Sequence, residues 1–173
     1  EAGTDTVLRR AGSTGRGPVQ AIVGAVPDAP VVIREGPACF PVDVAGGQKT
    51  GFFLDQRDNR RRLGELAGGR TVLNLFSYSG AFAVAALVAG ARRGVNVDES
   101  APALALAREA YRLNGLTVAD EDFLKADAFE ATRRMVATGA RFDVVVVDPP
   151  AFVKRRAELL AGLRGYRDIN LQA

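Results

Sequence analysis

Three aspartates close short apolar runs: Asp98 in GVNVD, Asp127 in FLKAD and Asp148 in VVVVD. An acid at the end of a strand can accept hydrogen bonds from sugar hydroxyls or an amino group, and ligands of open parallel sheets bind at the strands' carboxyl edge. A lone Asp in such a place is more often the N-cap of the next helix. Three in succession favour a shared ligand-facing edge. Asp148 belongs to the least ordinary stretch, FDVVVVDPPAFVK, Phe142 to Lys154. Neither Pro149 nor Pro150 can donate a backbone hydrogen bond, and Pro149 keeps Asp148 out of helical angles, so the carboxylate is held at the strand edge. There Asp148 and the Pro149 carbonyl would offer acceptors to a flipped-out base while Phe152 stacks on it. The simpler reading is a strand-terminating turn with a buried Phe.

The loop after TVLNLF reads SYSGAF and contains one glycine, Gly80. A dinucleotide pyrophosphate needs several glycines for close backbone approach, as in G-x-G-x-x-G, and here Tyr78 and Ser79 fill that space. This argues against a nicotinamide dehydrogenase. S-adenosylmethionine needs one close approach and polar groups for its amino-acid tail, which Asn74, Ser77 and Gly80 could supply. Asp98 then stands where an acid accepts from both ribose hydroxyls, and Asp127 or its neighbouring backbone where the adenine amino group would lie. The chain has no histidine and one cysteine, Cys39. The usual zinc sets, Ser-His and Cys-His pairs and an internal disulfide are thereby excluded, and no metal site is expected.

These loops need a scaffold. From Arg70 the chain alternates strand-like and helix-like segments: TVLNLF, AFAVAALVAG, GVNVD, PALALAREAYRLNG, EDFLKAD, AFEATRRMVATG, FDVVVVD and a final helix. Such alternation predicts a parallel sheet with crossover helices, its first strand central. Upstream, residues 1–18 read as a flexible arm and 19–55 as a small antiparallel meander that ends in a short strand, GFFLD. A helix with Leu63 and Leu66 on its apolar side follows, and 56–173 forms the α/β domain. Candidate phosphate contacts are Arg57, Arg60, Arg61 and Arg62 on one side, and Lys154, Arg155, Arg156, Arg164 and Arg167 on the other. The net charge of +3 adds little to that argument. No apolar run reaches the roughly 20 residues of a membrane span, so a cytoplasmic location is expected. The chain begins at Glu1 and its single methionine is Met135, which suggests a piece of a longer reading frame.

Together TGFFLDQRDNR, NLFSYSGAF, VNVDES, YRLNGL, DPPAFVK and GYRDIN resemble the class I S-adenosylmethionine-dependent large-subunit rRNA methyltransferases of the cytosine-5 type. The resemblance runs from about Val7 onward. It implies a Rossmann-like α/β sheet, here partial, with a PUA domain before this region and three more strands after it. It also implies that Asn74, Phe76, Ser77, Tyr78, Ser79 and Gly80 hold the methionine part. Asp98 would bind the ribose, Asp127 the adenine, and Asp148 to Phe152 would face donor and base, with Asp55, Gln56 and Arg57 folded over the pocket. Arg60, Arg61, Lys154, Arg155 and Arg156 would contact large-subunit rRNA. Cytosine C5 methylation requires a thiolate to add at C6, and the family's cysteine would follow Ala173; Cys39 reads as an ordinary small side chain. Methylation of an exocyclic amine, which needs no nucleophile, and a non-catalytic RNA-binding module with a methyltransferase shell are the alternatives. A homodimer is admitted as an assembly.

Overall fold

The computed structural model describes residues 5–11, 17–47, 50–153 and 155–173. The chain divides into two compact units, Glu1–Arg57 and Asp58–Ala173. In the first, β1 (Val7–Arg10) pairs antiparallel with β2 (Val19–Val23), and β3 (Val31–Glu35) with β4 (Ala38–Val42). These are two separate two-stranded sheets and not one meander. β1 also falls inside the expected arm: the glycine-rich residues after it dominate the local composition, yet VLRR finds a ladder on β2. The expected strand GFFLD does not form. Gly51 turns the chain at φ +87°, and Leu54–Gln56 winds into a 3-10 turn. Phe52 is buried all the same, its ring 5.1 Å from that of Phe40.

The second unit is built on a four-stranded parallel sheet in the order β7-β6-β5-β8. Its strands are β5 (Thr71–Leu75), β6 (Arg93–Asp98), β7 (Phe123–Lys125) and β8 (Val144–Val147). The helices are α1 (Arg57–Ala67), α2 (Ala81–Val88), α3 (Ala101–Leu113), α4 (Ala128–Ala137) and α5 (Leu159–Gln172). β5 lies inside the sheet between β6 and β8, as expected for one of its two most apolar strands. The four valines of β8 are only half-buried, because among the described residues β8 has a partner strand on one side alone.

Strand alternation sends Leu73, Leu75, Val95 and Val97 to one face, where they pack with Ala128, Ala131 and Ile169 of α4 and α5. Val72 faces the other way, against Leu63 and Ala67 of α1 and Ala86 of α2. Each of the Leu, Val and Ile side chains among these stabilises the fold by roughly 1.5–3 kcal/mol. The inner positions of α1 are Arg60, Leu63 and Ala67, while Leu66, expected to be inside, is 44% exposed. Spacings of three and four residues place 60, 63 and 67 on one stripe, and 66 lies off it.

At the opposite end of the strands from the three acids, Asp143 fixes the register of β8 on β5. Its Oδ2 accepts from the Thr71 backbone N–H at 2.7 Å and from the Thr71 hydroxyl at 2.8 Å. Those donors, the backbone one foremost, hold its carboxyl below the usual carboxylate range. A depressed folded-state value gives stability that is present above the unfolded pKa and lost as the pH falls through the folded one. We expect Asp143→Asn to melt slightly below the parent at pH 7. The difference should close as the pH drops below about 4, read by circular dichroism melts across pH.

Candidate functional site

The carboxyl ends of four parallel strands meet at one edge, and the loop from β5 to α2 shapes it. Within five residues the chain enters the left-handed region three times, at Phe76 (φ 56°), Tyr78 (φ 47°) and Gly80 (φ 73°). For a non-glycine residue this costs on the order of 1 kcal/mol, and such strain concentrates at functional sites. Hydrogen bonds among the described residues hold the loop. The Ser77 N–H donates to Val97 O at 3.0 Å, the Gly80 N–H to Ser77 O at 2.8 Å, and the Tyr78 N–H to Asp98 Oδ2 at 2.7 Å.

Asp98 is therefore the meeting point of two strand ends. Its other oxygen, Oδ1, accepts from the Ser100 N–H at 2.9 Å. The N-cap of α3 is Ser100, whose Oγ accepts from the Ala103 N–H at 3.3 Å, so the capping explanation does not apply to Asp98. A carboxylate has about four acceptor positions. With one N–H on each oxygen, each keeps a further lone pair, a geometry suited to a vicinal diol. Asp127 behaves differently: it is the N-cap of α4, its Oδ1 accepting from the Glu130 N–H at 2.9 Å. Asp148 is exposed directly after β8, with Pro149 half-buried beside it.

Ser77 is 7% exposed, and its buried Oγ has no hydrogen-bond partner among the described residues. A buried hydroxyl left unpaired costs about 1–3 kcal/mol, a cost that a polar group brought by a ligand would relieve. The amino-acid tail of S-adenosylmethionine carries such groups, and the Asp98 acceptors suit its ribose, so the residues present fit that cofactor. No cluster of acidic or cysteine side chains capable of holding a metal occurs among the described residues. A separate cavity of about 170 Å³ lies between α4, α5 and β8, lined by Thr132, Met135, Phe142 and Gln172, and contains none of the three acids.

Other sequence-predicted residues fall elsewhere. Asn74 is 1% exposed and turned inward, its Nδ2 donating to Asn96 Oδ1 at 3.1 Å. Asn96 and its further partner Tyr111 escaped the sequence reading, although a polar residue inside the apolar run GVNVD was a visible signal. Phe152, offered to a base, has its ring engaged by Phe76, Phe129 and Tyr166 at centroid distances of 6.2, 5.7 and 4.6 Å. Gly165 brings the α5 backbone against the same ring, since a Cβ there would stand 3.2 Å from it. Stacking on a base would require this packing to open. Arg60 is 2% exposed and cannot serve as a surface phosphate contact, because it occupies the inner stripe of α1. Arg61, Arg155 and Arg156 are exposed, Arg61 forming an ion pair with Glu65 at 2.6 Å. Lys154 lies outside the described residues. Asp55, Gln56 and Arg57 belong to the first unit, where Asp55 is exposed in the 3-10 turn.

A Rossmann-like sheet with an acid anchored at the second strand's tip and a strained single-glycine first loop defines a class of nucleoside-cofactor proteins. Residues 22–170 match the S-adenosylmethionine-dependent methyltransferase family, and the chain belongs to it. It is 46% identical over 152 residues to ribosomal RNA large subunit methyltransferase I of Aeromonas salmonicida, covering 88% of this chain and 38% of that protein. The Klebsiella pneumoniae protein of the same name is 44% identical over 152 residues with the same coverage. The chain thus spans 38% of the length of these curated relatives. Among solved structures, a methyltransferase complexed with SAH superimposes with a TM-score of 0.72 at 33% identity, covering 81% of this chain and 37% of that one. A SAM-dependent methyltransferase from Agrobacterium tumefaciens gives 0.76 at 25% identity, covering 95% and 55%.

Gly80 tests the loop's construction. Besides its left-handed φ, a Cβ there would stand 2.8 Å from Ala107 Cβ and 3.2 Å from Asn96 Oδ1. Gly80→Ala should destabilise the second unit by about 1–3 kcal/mol, the usual cost of overpacking, measured by urea unfolding.

Proposed function

We propose that this chain is the cofactor-binding part of a methyltransferase that uses S-adenosylmethionine to methylate a base of large-subunit ribosomal RNA, with cytosine C5 as the target atom. The observation that carries the reading is the Asp98 carboxylate, clamped by the Tyr78 and Ser100 amides beside the buried Ser77 hydroxyl, which has no hydrogen-bond partner among the described residues. When bound, the cofactor supplies an electrophilic methyl group on a sulfonium. Asp98 accepts the two ribose hydroxyls and fixes the adenosine. Ser77 and the backbone of Phe76 to Gly80 bind the amino-acid tail, and the free edge of Asp127 meets the adenine side. Asp148 and the Pro149 carbonyl orient the base, while Phe152, packed on Phe76, sets the position of the DPPAF loop against the cofactor loop.

The choice of large-subunit rRNA rests on the names of the 46% and 44% identical relatives. The choice of cytosine C5 rests on the family resemblance. That reaction needs a thiolate, and the resemblance puts it after Ala173, so the complete gene product is the material for an activity assay. Cys39 sits on β4 opposite Arg34 in the first unit. Identifying the methylated nucleoside by mass spectrometry of digested rRNA separates C5 from an exocyclic amine, and absence of any methyl incorporation would favour a binding module.

Cofactor binding can be measured on this chain. Calorimetric titration with S-adenosylhomocysteine should show binding where NAD shows none. Asp98→Ala should weaken it about 10- to 100-fold, the value of one or two hydrogen bonds to a charged group. Equal affinity in the variant would remove Asp98 from the site. For RNA, Arg155→Glu with Arg156→Glu in the complete gene product should weaken binding to rRNA fragments. The same change should flatten the salt dependence by about one unit of slope for each phosphate no longer neutralised. An unchanged slope would place the RNA elsewhere.

A further inference from the structure

Beneath the cofactor loop lies a buried polar chain that folding alone does not call for. Asn74 on β5 and Asn96 on β6 are paired in register, and both are at most 1% exposed. Asn74 Nδ2 donates to Asn96 Oδ1 at 3.1 Å, and Asn96 Nδ2 donates to the Tyr111 hydroxyl at 2.9 Å. The Tyr111 hydroxyl in turn donates to Gly94 O at 2.9 Å. Burial pushes the phenol's pKa up, so the ring keeps its proton as a neutral donor. Each link is satisfied, and a satisfied network in a low-dielectric interior is rigid. An apolar set of the same volume would serve stability as well or better.

Room for the chain has been made at two glycines. A Cβ on Gly94 would stand 2.9 Å from the Tyr111 hydroxyl, and one on Gly80 would stand 3.2 Å from Asn96 Oδ1. The location is also specific. Asn74 lies two residues before Phe76, where the left-handed loop begins, and Asn96 lies two residues before Asp98 on the same face of its strand. The amide pair therefore bridges the two strands one step below the Tyr78 N–H to Asp98 bond.

We infer that Tyr111, Asn96 and Asn74 are positioning residues that hold the strained Phe76–Gly80 loop and the Asp98 carboxylate at the separation the cofactor requires. This inference rests on the cofactor assignment above, but its effect on the loop exists without any ligand. The chain reaches the site from α3, an element that contributes no residue of its own to the ligand edge. Removing the Tyr111 hydroxyl frees Asn96 to rotate and withdraws support from the Gly80 turn.

The test uses Tyr111→Phe in the full chain, with Thr132→Val as a matched control. Thr132 is 1% exposed and its hydroxyl is bonded to Ala128 O and Gln172, on α4 and away from the cofactor loop. Two quantities are read for each: amide hydrogen exchange at Tyr78 without ligand, and affinity for S-adenosylhomocysteine well below the melting temperature. Tyr111→Phe is expected to speed Tyr78 exchange and weaken binding, each about tenfold, the worth of roughly one hydrogen bond. Thr132→Val should lower the melting temperature and change neither. If Tyr111→Phe fails to fold, Asn74→Ala cuts the chain at its loop end and should give the same pair of changes. Loss of thermal stability with Tyr78 exchange and affinity both as in the parent would overturn the inference. Should the parent itself not bind S-adenosylhomocysteine, the cofactor assignment fails, and the exchange result alone then decides whether the chain positions the loop.

Discussion

The fold's ligand edge depends on one carboxylate holding two backbone amides. Asp98 joins the tip of β6 to the β5–α2 loop through Tyr78 and to the start of α3 through Ser100. Charge-assisted bonds of this kind are about twice as strong as neutral ones, which helps offset two non-glycine residues in left-handed backbone. Without the clamp, Phe76 and Tyr78 would relax, and the Ser77 hydroxyl and the loop's amides would lose their common orientation. The clamp also leaves the carboxylate half-buried, with one N–H on each oxygen and acceptor capacity to spare.

Around that point the parallel sheet supplies rigidity from two directions. The face toward α4 and α5 is a conventional apolar core, ending in the aromatic group of Phe76, Phe129, Phe152 and Tyr166. Phe152 is consequently a link between loops: it ties the segment after Asp148 to the segment after β5, and the Phe152 N–H donates to the Tyr166 hydroxyl at 3.2 Å. The opposite face carries the polar chain of Asn74, Asn96 and Tyr111. One loop is thus braced by dispersion on one side and by hydrogen bonds on the other. A shift in either would be transmitted to the donor and acceptor positions at the edge.

Much of this was legible in the sequence because periodicity and loop chemistry agree from Arg70 onward. Alternation of VLNLF, VNV and VVVV with helical segments pointed to the parallel sheet, and the single glycine in SYSGAF pointed away from a dinucleotide. What stayed hidden depends on side-chain direction, which a one-dimensional pattern carries poorly. Asn74 stands next to the ligand loop in the chain, yet strand alternation turns it inward. Arg60 looks like one of a run of surface arginines, but the stripe it shares with Leu63 and Ala67 buries it. Phe152 follows two prolines as an exposed stacking residue would, and only the packing of α5, whose backbone meets the ring at Gly165, shows the ring engaged inside the fold. Asp98 and Asp127 look alike in sequence, and only the caps distinguish them, Ser100 relieving the first and Asp127 serving as its own.

The most direct test of the account is the response of assigned backbone amides to S-adenosylhomocysteine in a two-dimensional NMR titration of this chain. The account predicts the largest shifts at Tyr78 and Ser100, the two amides bound to Asp98, with Ser77, Gly80 and Glu130 following. Shifts confined to the cavity between α4 and α5, or an unchanged spectrum at these amides, would contradict it.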